Sequence, residues 1–411
     1  MAIVLGKSSK FFGDKVIEHK GAENVVALGS RCTGIAKGIV IPTLFKWERS
    51  AVVVDIGGEI TSITASTREA MKQEVMIFNP TGDPENIDRR AVHYNPLAEI
   101  RMETRFEYGD VCEVVDLLLE IPDGRERTLA VNESRTLLIA TILHLLYAYK
   151  KEQKGVPTLQ EVMNFILKDD GKSTIWDSIE EINEGFLSPW ESLAVHPNIP
   201  TLVAELKHCI TGDDSVAAVL TVVCDALKRY CEPWIAANLK SDESLIEKII
   251  RRNPTKTVYL VMSLGDVSCV MPIIRMFLSQ LVKRQTEVQR TEKDLLLVLN
   301  DFEELGRLDW LENEMGIYYG LGIQILITST SIPAIQRNYS PRNSILENCH
   351  VKIFKGVADM ETAKYVSGLS GGKLREFDVT CLKKEDEILF KLYEPMRIIR
   401  GINYWEYISG K

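Results

Sequence analysis

The sequence is poor in the residues that build metal centres and disulfide frameworks. Its six histidines do not fall at ligand spacing beside its eight cysteines (Cys32, Cys112, Cys209, Cys224, Cys231, Cys269, Cys349 and Cys381), and no CxxC pair occurs. Neither a zinc site nor a disulfide scaffold is therefore written into the chain, and the thiols read as reduced and mostly buried. Positive charge is also in deficit. Lys and Arg number 49 against 58 Asp and Glu, a net charge of −9, which excludes a general basic footprint for nucleic acid and leaves only a local patch or a pore lining for it. Protein partners suit this composition better. Missing too is an uncharged apolar run of the roughly 18 residues that argue for a membrane span. The longest, residues 137–149 (LLIATILHLLYAY), reads as a buried helix. The opening MAIVLGKSSKFFGDK has no apolar h-region or small-residue cleavage site, so a cytoplasmic chain is expected. No internal repeat or low-complexity segment is found.

What the chain does contain is alternation. Apolar strand signals at residues 23–28, 50–55 and 74–78 are separated by turns and helical stretches, and this is the start of a parallel sheet. From about residue 108 to 239 helical spacing takes over without a strand-like run. Strands resume at 257–262, 294–299, 323–328 and 351–356, with 387–393 as a late candidate. The spacing predicts an α/β protein with a mainly parallel central sheet built from residues 1–107 and 241–411, interrupted by an all-α insertion at 108–240.

After the first strand comes "ALGSRCTGIAKGIVIPTLF". A phosphate loop needs Gly-x-x-x-x-Gly-Lys-[Ser/Thr]: backbone N–H groups wrap the phosphates, lysine neutralises them and the hydroxyl holds Mg²⁺. Gly29, Ser30, Arg31, Cys32, Thr33 and Gly34 supply the frame, but Ile35 and Ala36 follow. Lys37 lies two residues on, a helical rotation of roughly 200° that turns it from the phosphate side unless the loop geometry shifts. Taken alone, the loop is equally a Gly-rich turn.

Its neighbours add more: Val40-Ile-Pro-Thr-Leu44, "SAVVVDIGGEI", "FNPTG", "YNPLAEIR", "NDFEELGRLDWLE", "NSILENCHVKI" and "ETAKYVSGL". On these segments the chain resembles the cytosolic part of type IV secretion coupling proteins, the TraG-like conjugation ATPases. The resemblance implies a RecA-like P-loop NTPase domain with an inserted all-α domain, ATP and Mg²⁺ as ligands, and a hexameric ring at the inner membrane. It also implies type IV secretion components, substrate or adaptor proteins and DNA as partners. The family usually carries an N-terminal anchor before this region, which implies either a soluble member or a piece of an anchored one.

Aligned on Ile41-Pro42, the family's lysine position is Ile35. The second motif, an apolar strand ending in Asp-Glu, here ends in Asn300-Asp301; Asn300 lacks the charge of a cation ligand and Asp301 is one methylene short for a base. A register slipped by one would make Asp301 the metal carboxylate, backed by Glu303 or Glu304. Thr330 stands where the family's γ-phosphate-sensing glutamine falls. With all three altered, catalysis by positioning and charge neutralisation is expected to be lost. His144 reads as a core or interface histidine, and Cys224 and Cys231, seven apart on one helical face, as core residues with redox pairing as the second reading. Arg307 reads as a subunit-interface or structural arginine, and Arg337, Arg342 and Asn343 as pore-lining or loop residues. The acidic run 177–184 (DSIEEINE) is the better candidate for partner binding, and 383–387 (KKEDE) reads as a solvated face.

Overall fold

The computed structural model describes residues 2–8, 15–120, 128–167, 177, 199–210, 213–251, 254–288, 295–341 and 343–409. The chain packs as two units, one of Met1–Phe78, Ile249–Val267 and Leu281–Lys411, the other of Asn79–Lys248 and Ser268–Gln280. The second starts at Asn79, earlier than helical spacing suggests. Irregular backbone beyond Phe78 is tied to the helices by side-chain amides: Asn95 donates to Pro157 O (3.0 Å) and Ser241 O (3.1 Å), and Asn238 to Pro80 O (3.3 Å) and Gly82 O (2.9 Å).

The first unit is built on one sheet. Its strands among the described residues are β1 Ile3–Lys7, β2 Val16–His19, β3 Val25–Gly29, β4 Ser50–Ile56, β5 Glu74–Phe78, β6 Lys256–Met262, β7 Leu295–Leu299, β8 Ile323–Ser329, β9 Val351–Lys355, β10 Asp386–Lys391 and β11 Arg397–Arg400. They lie in the order β2-β1-β11-β10-β9-β3-β8-β7-β4-β6-β5. From β9 to β5 every pairing is parallel. These strands are covered on both faces, which is why β7 (LLLVL) and β8 (IQILITS) are buried throughout and read as unbroken apolar runs. The other four pair antiparallel. Where the two kinds of pairing meet, the Lys355 ammonium on β9 lies 2.8 Å from Glu387 Oε1 on β10, both buried. Glu387 thus departs from the solvated face expected of 383–387: strand pairing turns its side chain inward, while Lys383, Lys384 and Glu385 stay exposed.

The second unit is helical. Its centre is the 24-residue helix Leu129–Glu152, longer than the apolar run that marks it because mixed residues extend both ends. Thr128 caps its start by accepting from Val131 N–H, and Gln153 ends it in the left-handed conformation. Among the described residues it is the one helix long and apolar enough to cross a membrane, and 67% of its apolar window is buried inside the fold. It packs against the helices Leu159–Leu167, Ile199–Cys209 and Asp213–Leu227. His144 is buried with its ring 5.2 Å from that of Phe165. Cys224 and Cys231 are half-buried free thiols, and the Cys231 sulfur sits 3.2 Å from that of Met163.

Candidate nucleotide cleft

Strands β3, β8, β7 and β4 are parallel neighbours, and the residues beyond their carboxyl ends line an open cleft of roughly 620 Å³. Clefts in open α/β sheets form at this edge because the helix and loop connections leave it on one side. The first wall is the loop after β3. At Gly29 a Cβ would stand 2.6 Å from Lys355 O and 2.9 Å from Ile35 Cγ1, so only glycine fits. The chain then passes through positive φ at Cys32 (67°) and Gly34 (79°), the kind of change of hand from which anion nests are built, with the Thr33 N–H between them donating to Ser30 O at 3.2 Å. Thr33 Oγ1 closes the loop by donating to Ser30 O at 2.7 Å.

Ile35 heads the following helix, where it borders the cleft and belongs to the buried apolar cluster that includes Val25, Ala27 and Ile39, with 8% of its surface exposed. Residues Ala36–Val40 form a π-helical turn, with the Ile41 N–H donating to Ala36 O. Pro42, next in line, has no N–H with which to continue an α ladder. Lys37 lines the cleft, against the rotation expected of it: its long stem brings Nζ within 2.7 Å of Glu59 Oε1, and Glu59 lines the cleft as well.

Asp55, near the end of β4, has no counterpart in the sequence reading. Gly57 and Gly58, at φ of 88° and 72°, turn the chain so that the helix Glu59–Ala70 begins over this carboxylate. It accepts from Ile60 N–H (3.3 Å), Thr61 N–H (2.6 Å) and Thr61 Oγ1 (2.6 Å). Burial nevertheless holds its pKa above the usual carboxylate range. The signal available in sequence was an Asp closing an apolar strand before Gly-Gly and a helix.

The opposite wall follows β7 and β8. Asn300 is buried, with Oδ1 accepting from Thr328 Oγ1 at 2.8 Å and Nδ2 donating to Asp301 Oδ2 at 2.7 Å. Asp301 is in the left-handed region, at φ 51°, and its N–H donates to Thr328 Oγ1 at 3.2 Å. Burial, with Glu303 and Glu304 close by, pushes its pKa up to about 6 against the opposing pull of Arg31. Glu303 Oε1 accepts from Thr330 N–H (3.2 Å) and Thr330 Oγ1 (2.7 Å), whereas Glu303 Oε2 and Ser329 Oγ are buried without hydrogen-bond partners. Arg31 reaches from the loop to Glu304, 3.3 Å away. The lining thus brings together Gly29 to Lys37, Asn300, Asp301, Glu303, Glu304 and Thr330, all singled out in the sequence, and adds Asp55, Glu59 and Ser329.

Arg307 is held by Asp309 (2.6 Å) and Glu312 (3.1 Å). Arg337 is exposed, and Asn343 accepts from Ile345 N–H in a local turn. Arg342 and all of the acidic run 177–184 except Asp177 lie outside the described residues.

A glycine-framed loop after the central strand β3, and a polar wall from β8 beside it and β7 beyond, define a P-loop α/β domain of RecA-like fold. The family profile for "Type IV secretory system Conjugative DNA transfer" matches residues 7–387, and the chain belongs to that family. It is 26% identical over 371 residues to a conjugal transfer protein TraG of Escherichia coli, covering 86% of this chain and 56% of that protein. To Protein VirD4 of Agrobacterium fabrum it is 25% identical over 380 residues, covering 90% and 52%. The chain therefore spans about half the length of the curated relatives it matches. The plasmid coupling protein TrwB, solved in complex with ADP and Mg²⁺, shares the fold with a TM-score of 0.67 at 14% identity, covering 98% of this chain and 95% of that one.

Proposed function

We propose that this chain acts in a type IV secretion or conjugation system as a coupling-protein-like scaffold or substrate-recruiting component, with a cleft that does not hydrolyse ATP. The observation that carries this reading is Ile35: the position for the phosphate-neutralising lysine holds an apolar side chain packed into the core. Phosphoryl transfer is almost entirely positioning and charge neutralisation. Here the cleft offers two cations, Arg31 and Lys37, each already facing a carboxylate. Asn300 is neutral and hydrogen-bonded to Thr328. Such a lining suits Mg²⁺ and a triphosphate poorly, although the loop keeps an anion-nest backbone. On this reading ATP and Mg²⁺ are ligands of relatives such as TrwB, and the partners are secretion components and substrate or adaptor proteins. A homo-oligomeric ring would follow from the family, and DNA is disfavoured by the charge of −9.

Calorimetry with Mg²⁺·ATP, followed by phosphate release, tests the reading. Absence of turnover is expected. Micromolar affinity with turnover that Lys37→Ala abolishes would overturn it in favour of the second reading, an active ATP-driven coupling ATPase. Two observations favour that alternative: Lys37 lines the cleft, and Asp301 and Glu303 stand on its far wall.

A further inference from the structure

We infer that the cleft is a binding site for a multi-donor organic cation, the guanidinium or ammonium group of a basic polypeptide segment or of a polyamine. The inference rests on the proposed loss of ATPase function and assigns the cleft a different ligand. Among the described residues its lining carries five carboxylates, Asp55, Glu59, Asp301, Glu303 and Glu304, against two cations. Three of the five are already occupied: Asp55 by the helix start at Ile60 and Thr61, Glu59 by Lys37 and Glu304 by Arg31.

Asp301 and Glu303 remain. Asp301 receives one side-chain hydrogen bond among the described residues, from neutral Asn300. Glu303 is 7% exposed and lines the cleft, and its Oε2 has no partner. Ser329, 5% exposed and also lining the cleft, leaves its hydroxyl unpartnered. Buried polar atoms left without partners cost stability, so two of them in one cleft wall mark where a ligand's donors belong. Arg31 does not supply these donors, since its side chain is 80% exposed and its contact with Glu304 is a surface ion pair of little strength. A bare metal ion fits less well, because no group of three or more His, Cys, Asp or Glu among the described residues is arranged to hold one. A guanidinium offers five N–H donors in a plane and is more weakly hydrated than a simple ion, which suits two carboxylates and a hydroxyl in a half-dry cleft.

The test is titration calorimetry of the whole chain with a tetra-arginine peptide amide and, separately, with spermidine. Saturable binding is expected, weakened about tenfold or more by Asp301→Asn or Glu303→Gln and unchanged by Glu361→Gln, which removes an exposed charge elsewhere. Asp301→Asn keeps side-chain shape and a residue tolerant of positive φ, so it serves if Glu303→Gln does not fold. Affinity should also fall between about pH 7.5 and about pH 5 as Asp301, facing Glu303, Glu304, Asp55 and Arg31, takes up a proton. Peptide binding without spermidine binding assigns the site to a protein segment, and equal binding of both assigns it to the cation alone. Absence of binding, or equal weakening by Glu361→Gln, would overturn the inference. Turnover of Mg²⁺·ATP would instead overturn the reading beneath it, so the two failures are distinguishable.

Discussion

Asp301 is a carboxylate whose surroundings oppose its charge, and this makes a stability prediction with a definite sign. Its folded pKa, about 6, lies above the ordinary value of 3.8. The folded state therefore holds its proton more tightly than the unfolded chain does. The stabilisation is complete below about pH 4 and is lost as pH rises through about 6. Asp301→Asn removes this dependence. Relative to the parent, the variant should gain about 1–2 kcal/mol at neutral pH, after discounting for partial exposure. The gain should shrink toward zero below about pH 4, as read from urea unfolding across pH. Ile35→Lys makes the opposite kind of change, placing an ammonium in the core. It should cost about 2–4 kcal/mol and leave ATP turnover absent, checked by thermal melting and phosphate release. Ile35 was legible because the Ile41-Pro42 landmark fixed its register. Asp55 and Ser329 were not, and Glu303 was legible only as a residue behind Asp301, because what makes them notable is a partner gained or missing across the cleft. Thr330 meets Glu303 from 27 residues away.

At the scale of elements, the phosphate-loop helix is held at both ends by contacts that no local pattern announces. Arg68, fully buried on the helix Glu59–Ala70, donates to the carbonyls of Leu44 (2.9 Å), Trp47 and Arg49 (2.8 Å) and to Thr257 Oγ1 (2.9 Å). Burial lowers its pKa to about 10, and these acceptors are what keep a guanidinium in the interior. Arg68→Met leaves three carbonyls without that donor and should cost about 2–4 kcal/mol in denaturant unfolding. Gly38 sits in the π turn, where a Cβ would stand 2.9 Å from Ile402 O. Ala is the better helix former by about 1 kcal/mol, but the clash is with backbone and overpacking costs about 1–3 kcal/mol. Gly38→Ala should therefore destabilise, and the same unfolding measurement decides the sign. The parallel strands were legible as apolar runs because both their faces are covered. β1, β2 and β11 were not: β2 and β11 are four residues long and partly exposed, and in β1 (IVLGK) the apolar run stops at Gly6, so neither run length nor alternation marks them.

For the molecule as a whole, charge decides more than motif does. A chain of net charge −9 has little to exchange for the counterions that DNA binding releases. Single-stranded DNA should bind no more tightly than about 10⁻⁴ M near physiological salt, with a shallow salt slope, in fluorescence anisotropy. A tight, steeply salt-dependent interaction would point to a concentrated basic surface and to a nucleic-acid translocase. The helical stretch was legible as a change of periodicity, whereas the contacts that tie residues beyond Phe78 to it, through the amides of Asn95 and Asn238, join segments distant in sequence.

The sheet also sets a timetable for making the protein. β1 pairs with β11, where Lys7 stands opposite Arg400, so β1 finds one of its neighbours only after all the strands between them have been synthesised. Until then β1 and its hairpin partner β2 present an unpaired apolar edge, since Ile3, Val4 and Leu5 are fully buried only in the finished sheet. Non-local pairing of this kind slows folding and exposes intermediates to aggregation. Newly made chains should therefore rely on chaperones that hold the N-terminal hairpin. A variant in which β1 and β2 are moved to follow β11 in the chain should refold faster than the parent.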